Sequence, residues 1–271
     1  MQISNKTIVV TGAGSGIGRE LTIELLRKGA NVAGIDINED SLWETQKLAQ
    51  VGNDRFKGFL LDITNKEKVD SLPSKVISHF GSVDGIINNA GIIQHFKKVN
   101  DLSIEEINRV FNVNFYGTLY LTKAFLPSFL QRPEAHIINI SSMGGFLPVP
   151  GQTIYGAAKA AVKLFTEGLY SELRDTRVRV TVVFPGAIAT NITENSGLGK
   201  PKATTASNSK LKPLPADKTA QIIISAIEKN KFRVLVGGDA TFLDKLYRFH
   251  PRYATDFIGQ KMKSLRGLLA P

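Results

Sequence analysis

Apolar runs and helix-spaced apolar residues alternate along most of the chain. Residues 7–11, Thr-Ile-Val-Val-Thr, read as a strand. Residues 17–28 then place Ile17, Leu21, Leu25 and Leu26 on one side of a helix. Strand-like runs return at 31–36, 56–61, 83–88, 136–140, 178–184 and 232–236. Helical spacing fills 39–50, 66–80, 103–130 (in two pieces), 153–174 and 216–229. The strands do not alternate strictly between apolar and polar positions, the pattern of a sheet covered on both faces. This rhythm predicts an α/β fold, a doubly wound parallel sheet of about seven strands with helices on both faces.

The pattern changes beyond Pro185. Residues 191–215 are rich in Gly, Ser, Thr, Asn, Lys and Pro. A stretch of that length exceeds a plain connection and predicts either a substrate lid or disorder. Helical spacing resumes at 241–249 and 253–269, interrupted by His250-Pro251. In the second piece Tyr253, Phe257, Ile258, Met262, Leu265 and Leu269 can form one apolar stripe, flanked by Lys261, Lys263 and Arg266. The stripe suits a helix packed on the body, a subunit-interface element or a membrane-surface helix. The expected organisation is a main domain over 1–238 and a helical extension over 239–271.

Composition narrows the chemistry. A chain of 271 residues with 42% hydrophobic content can fill one large core. It has no cysteine, which excludes a disulfide framework and a thiolate metal site. Its four scattered histidines disfavour zinc. The N-terminus leads into a strand without a signal-like apolar core, and no apolar run reaches the roughly 18 residues of a membrane span. A cytoplasmic protein is expected. Net charge is +10, yet Lys and Arg form no block interleaved with aromatics in the first 190 residues. The charge therefore reads as a solvated basic surface, or a field attracting a pyrophosphate, ahead of a nucleic-acid partner.

Candidate chemistry collects at strand ends. The segment Thr11-Gly12-Ala13-Gly14-Ser15-Gly16-Ile17-Gly18 joins the first strand to the first helix. Glycines let backbone approach a phosphate, and the helix N-terminus offers free N–H groups and positive potential. Such a turn alone can be merely tight; its strand-turn-helix setting favours a dinucleotide site. Asp36 ends the second strand, where a carboxylate accepts hydrogen bonds from adenosine ribose hydroxyls and repels a 2′-phosphate. Ile37 rather than an arginine follows it, and Ser15 is not basic, so NAD(H) is preferred to NADP(H). Asp62-Ile63 ends the third strand. Asn88-Asn89-Ala90-Gly91 ends the fourth, with small residues that let a ribose or flat ring lie against the backbone. Beyond the fifth strand comes Ser142, then Tyr155 thirteen residues on and Lys159 four further. Residues four apart share a helix face, so a hydroxyl, a phenol and an ammonium converge where a strand ends.

With these motifs in this order, the sequence resembles the short-chain dehydrogenase/reductase family in its single-domain, Rossmann-type form. The matching pieces are Thr11-Gly-x-x-x-Gly-x-Gly18, Asp62, Asn88-Asn-Ala-Gly91, Asn114, Ser142, Tyr155-x-x-x-Lys159 and Pro185-Gly186-x-x-x-Thr190. The resemblance implies that Tyr155 is the general acid/base and Ser142 orients the substrate oxygen. It implies that Lys159 lowers the phenol's pKa and grips the nicotinamide ribose, while Asn114 holds a proton-relay water. The cofactor-binding residues it implies are Gly12, Ser15, Gly16, Ile17, Gly18, Asp36, Asp62, Ile63, Asn89, Ala90, Gly91, Tyr155, Lys159, Pro185, Gly186, Ile188 and Thr190.

By the same resemblance, residues 92–96 and 143–149 line the substrate pocket. Both are mostly apolar and hold no arginine to pair with a carboxylate, so an apolar ketone or secondary alcohol is expected. His95 reads as a surface residue, and Phe96 and Phe146 as wall or packing residues. Two other functions stay open: a non-catalytic NAD(H) sensor or scaffold, and a peripheral-membrane enzyme acting on a lipid-like substrate. The family resemblance implies a homodimer or homotetramer.

Overall fold

The computed structural model describes residues 1–199 and 213–266. The strands are β1 (Thr7–Thr11), β2 (Asn31–Asp36), β3 (Phe56–Leu60), β4 (Gly85–Asn88), β5 (Ala135–Ile140), β6 (Val178–Pro185), β7 (Ile188–Ala189), β8 (Leu214–Pro215) and β9 (Arg233–Val236). The helices are α1 (Gly16–Arg27), α2 (Glu39–Ala49), α3 (Lys66–Asp70), α4 (Leu72–Phe80), α5 (Ile104–Phe111), α6 (Gly117–Leu130), α7 (Thr153–Glu172), α8 (Ile192–Asn195), α9 (Ala216–Glu228), α10 (Gly238–Phe249) and α11 (Pro251–Arg266). Polar caps start several of them: Asn38, Asn65 and Ser103 accept from the backbone N–H of Ser41, Lys68 and Glu106 respectively.

Seven strands form one parallel sheet in the order β3-β2-β1-β4-β5-β6-β9, the doubly wound topology expected. The strand order reverses between β1 and β4, so a crevice opens beyond their carboxyl ends. One face is covered by α1 and α9, through Leu21, Leu25, Ile223, Ile224 and Ile227. The other is covered by α4, α6 and α7, through Leu72, Val76, Leu121, Phe125, Phe129 and Leu169. Burial of each such Leu or Phe contributes about 1.5–3 kcal/mol.

Several boundaries differ from expectation, each for a local reason. The helix expected over 66–80 is two, because Pro73, which lacks an N–H, sits in the first turn of α4. The two pieces expected over 103–130 are joined without a loop, through a π-helical turn at Asn112–Tyr116. Within the expected lid, α8 lies between β7 and β8, which pair in parallel; residues 200–212 lie outside the described residues. So do the side chains of Lys263, Leu265, Arg266 and Leu269 in the predicted stripe. The extension folds as a hairpin of α10 and α11, whose Leu243, Ala254, Phe257 and Ile258 pack on Met143, Phe146 and Leu147. No described helix is long and apolar enough to cross a membrane.

The sheet also buries charge and polarity away from the crevice. Asp84, 1% exposed, accepts from Arg132 through Nε at 2.9 Å and Nη2 at 2.8 Å. His136 on β5 is fully buried beside Thr181 on β6. The Thr181 hydroxyl donates to the Lys231 carbonyl at 2.6 Å, so His136 Nε2–H donates to Thr181 Oγ1 at 2.8 Å. That tautomer leaves Nδ1 bare, and it has no partner.

Candidate active site

The turn between β1 and α1 needs its glycines. Gly12 and Gly16 have φ of +67° and +51°. A Cβ on Gly18 would lie 2.0 Å from the Gly12 carbonyl oxygen. The chain therefore folds tightly on itself and points the first N–H groups of α1 at the crevice. Asp36 Oδ2 accepts from Gly14 N at 2.9 Å, fixing its carboxylate at the turn. Thr11 ties this turn to the next: its Oγ1 accepts from the N–H groups of Asn89 and Ala90, and its carbonyl accepts from Asn89 Nδ2, each at 2.9 Å. The small-residue turn after β4 is thus held against the glycine turn.

Across the crevice, Ser142 follows β5 and Tyr155 and Lys159 rise from the first turns of α7. Ser141 Oγ donates to the Lys159 carbonyl at 2.8 Å, and Gly145 approaches that carbonyl so closely that a Cβ would lie 2.9 Å from it. Lys159 is 4% exposed and donates from Nζ to the Ile140 carbonyl at 2.9 Å. Burial pulls its pKa down to about 8. For Tyr155, burial pushes the phenol pKa up and a hydrogen bond with Ser142 pulls it down; burial wins. The expected lowering by Lys159 is not what dominates here: the ammonium stands 5.9 Å from the ring centre and is held by a backbone carbonyl. Asn114 sits at the centre of the π turn, fully buried. Its Nδ2 donates to Ile92 O and Val110 O at 2.9 Å, while its Oδ1 has no partner. A Cβ on Gly91 would meet both Asn114 Oδ1, at 2.7 Å, and Lys159 Nζ, at 3.2 Å.

These groups line a single cavity of about 870 Å³. Gly12, Ser15, Gly16, Ile17, Asp36, Asp62, Ile63, Asn89, Ala90, Gly91, Ser142, Tyr155, Lys159, Pro185, Gly186, Ile188 and Thr190 all contribute to its wall. Gly18 and Asn114 stand just behind it, Gly18 shaping the turn and Asn114 facing Gly91. The pocket-wall expectation fares less well. Ile92 and Ile93 line the cavity, but Gln94, His95, Phe96 and residues 143–149 are not among its described lining residues. His95 instead reaches Glu106 at 2.7 Å, on the surface as expected. Phe146 packs edge-on to Phe184 at 5.5 Å, and Leu147 is fully buried under the C-terminal hairpin. An arginine does reach the wall, from α5 rather than from either loop: Arg109, with Glu105 and Asn108 beside it and Asn112 from the π turn. No sequence signal separated these four from an ordinary solvated helix face.

The segment at α8 crosses the cavity mouth. Asn195 Nδ2 donates to Ser15 Oγ at 2.8 Å, and Ser196 Oγ accepts from Ile93 N at 3.0 Å. Both banks of the crevice are thereby joined over the top. Among the described residues no group of acidic or histidine side chains could hold a metal ion.

Known proteins share this fold. A family model described as short chain dehydrogenase matches residues 6–200. The chain belongs to the short-chain dehydrogenase/reductase family of oxidoreductases. It is 39% identical over 249 residues to a Mycobacterium tuberculosis (strain CDC 1551 / Oshkosh) protein named as an oxidoreductase, SadH, covering 90% of each chain. It superposes on a short-chain dehydrogenase/reductase from Burkholderia phymatum in complex with NAD, with TM-score 0.82, 26% identity and coverage of 92% of this chain and 94% of that one. A closed form of serine dehydrogenase complexed with NADP+ matches with TM-score 0.78 and 26% identity over 85% of this chain and 94% of that one.

Proposed function

We propose that the protein transfers a hydride between NAD(H) and the carbonyl or carbinol carbon of an apolar ketone or secondary alcohol. The observation that carries this reading is one cavity presenting a glycine-lined helix N-terminus, the carboxylate of Asp36, and Tyr155 with Ser142 beside a buried Lys159. The residues fit a dinucleotide. The glycine turn lets backbone reach a pyrophosphate, and Asp36 accepts from ribose hydroxyls. When bound, nicotinamide supplies the hydride chemistry.

The chain's own groups do the rest. The phenol of Tyr155 donates its proton to a carbonyl oxygen; in the reverse direction the phenolate takes the carbinol proton. Ser142 Oγ bonds the same oxygen and steadies its developing charge. Lys159 places a cation behind the phenol, and Asn114 Oδ1, buried and unpartnered near that cation, offers the acceptor from which a proton relay continues. Ile188 and Thr190, both in the cavity wall, would hold the carboxamide of the nicotinamide. Assembly is proposed as a homodimer or homotetramer in the cytoplasm. The test is a screen with NADH and NADPH over apolar ketones and their alcohols. Cofactor binding with no Tyr155-dependent turnover across the panel would favour a sensor or scaffold.

Asp36 sets the cofactor. Asp36→Ala is expected to weaken NADH about 10–100-fold, the loss of hydrogen bonds to a charged acceptor, and to weaken NADPH far less. Fluorescence titration reads both constants. Tighter binding of NADPH than NADH by the wild type would reverse the cofactor assignment.

A second reading rests on the C-terminal hairpin. Phe242, Phe249 and Tyr253 are 56%, 78% and 61% exposed. The same two helices expose Lys245, Arg248, Arg252 and Lys261, against a single exposed acid, Asp256, among their described residues. Exposed aromatic rings and cations together suit an anionic bilayer surface, from which a lipid-like substrate would reach the cavity. The wild type is expected to sediment with phosphatidylglycerol vesicles and a Phe249→Glu/Tyr253→Glu variant to remain in the supernatant. Equal recovery of both in the supernatant removes this reading.

A further inference from the structure

The catalytic helix lacks a cap of its own. α7 begins at Thr153, and the preceding Gln152 makes no side-chain capping bond. The first N–H groups of any helix have no partner within it, and Tyr155 N is one of them. It is satisfied from far along the chain: Gln94 Oε1 accepts from Tyr155 N at 2.8 Å. The same side chain donates from Nε2 to the Gly151 carbonyl at 3.0 Å. In return Gln152 Nε2 donates to the Gln94 carbonyl at 2.8 Å. Gln94 and Gln152 are 2% and 5% exposed, so water does not compete for these bonds.

Gln94 lies in the loop whose Ile92 and Ile93 line the cavity. Ile92 is held by Asn114, and Ile93 by Ser196. Gln94 is therefore the point at which the cavity wall is fastened to the helix carrying Tyr155 and Lys159. We propose that Gln94 is a positioning residue: its carboxamide caps the catalytic helix at Tyr155 itself and fixes where the phenol stands relative to Ser142 and to the apolar wall. This rests on the role given above to Tyr155.

The geometry separates the two functions of the side chain. Gln94→Leu keeps the volume and removes both bonds, leaving Tyr155 N and Gly151 O buried without partners. Gln94→Glu keeps the acceptor for Tyr155 N, and a carboxylate is favoured at a helix N-terminus. A displacement of the phenol by a fraction of an ångström to an ångström costs up to about 100-fold in rate. Gln94→Leu should thus lower kcat about 10–100-fold with little change in NADH affinity, and Gln94→Glu should recover kcat to within a few-fold.

The experiment measures kcat, KM and NADH binding for wild type, Gln94→Leu, Gln94→Glu and Tyr155→Phe, using NADH with acetophenone and 2-octanone. The Tyr155 Cζ shift in 13C-tyrosine-labelled protein is followed in parallel, assigned by its loss in Tyr155→Phe. This shift reports the Ser142 hydrogen bond without turnover; it should move in Gln94→Leu and return in Gln94→Glu. Gln152→Met, which leaves the bond to Tyr155 intact, should lower kcat only a few-fold and covers the case in which Gln94→Leu does not fold. An unmoved shift in Gln94→Leu, or equal losses in the Leu and Glu variants, would overturn the proposal. So would Gln152→Met losing as much rate as Gln94→Leu. Normal turnover by Tyr155→Phe would instead overturn the catalytic role of Tyr155.

Discussion

Tyr155→Phe is expected to lower kcat about 10²–10⁴-fold while leaving NADH binding close to wild type. The change removes one oxygen from a half-buried side chain and leaves the ring, so packing and the glycine turn are undisturbed. What is lost is the phenol hydroxyl that faces Ser142. An interaction used in proton transfer and not in cofactor binding should appear in kcat and in kcat/KM together. Stopped-flow or steady-state turnover beside a fluorescence titration separates the two. Burial raises the phenol pKa above its ordinary value. Near-wild-type kcat in this variant would remove Tyr155 from the mechanism.

Acid should weaken the fold through His136. Burial, with smaller contributions from the N-terminal charge and Arg179, brings its pKa from 6.5 down to about 3. Above pH 6.5 both folded and unfolded chains hold it neutral and its environment is fully favourable. Below that value the unfolded chain binds a proton that the folded chain refuses. Stability then falls by about 1.4 kcal/mol per pH unit until the pH approaches 3. Gln at this position offers an N–H to Thr181 and does not titrate. Between pH 7 and pH 4.5, urea unfolding of the wild type should lose about 3 kcal/mol more than that of His136→Gln. Equal losses would mean that His136 is not held neutral.

The sheet and most of the cavity were legible because their signals are local. A strand buried on both faces is a short apolar run, and a backbone that must approach a phosphate requires glycine. Gly12, Asp36, Asn89, Tyr155 and Lys159 announce themselves by spacing. Gln94 does not, because nothing in a single glutamine tells that its acceptor meets Tyr155 N sixty-one residues away. Arg109 was hidden for the same reason: it reaches the cavity only once α5 is laid across the crevice. Phe146 reads equally as a wall or a packing residue because it follows Ser142, and the partners that decide for packing, Phe184 and the α10–α11 hairpin, are long-range. The split of 66–80 was foreseeable from Pro73, whereas the π turn has no breaker residue to mark it.

That turn at Asn112–Tyr116 has a further consequence. A helix advances by about 100° per residue, so one surplus residue rotates everything after it by that amount. α5 and α6 are therefore a single rod with two phases. The first phase shows Glu105, Asn108 and Arg109 to the cavity, and the second drives Leu121, Phe125 and Phe129 into the core. Deleting any one residue of the turn would regularise the helix and force a choice between them, the cavity wall or the core. Any change in the length of this rod therefore disturbs one side or the other, whichever residue is removed.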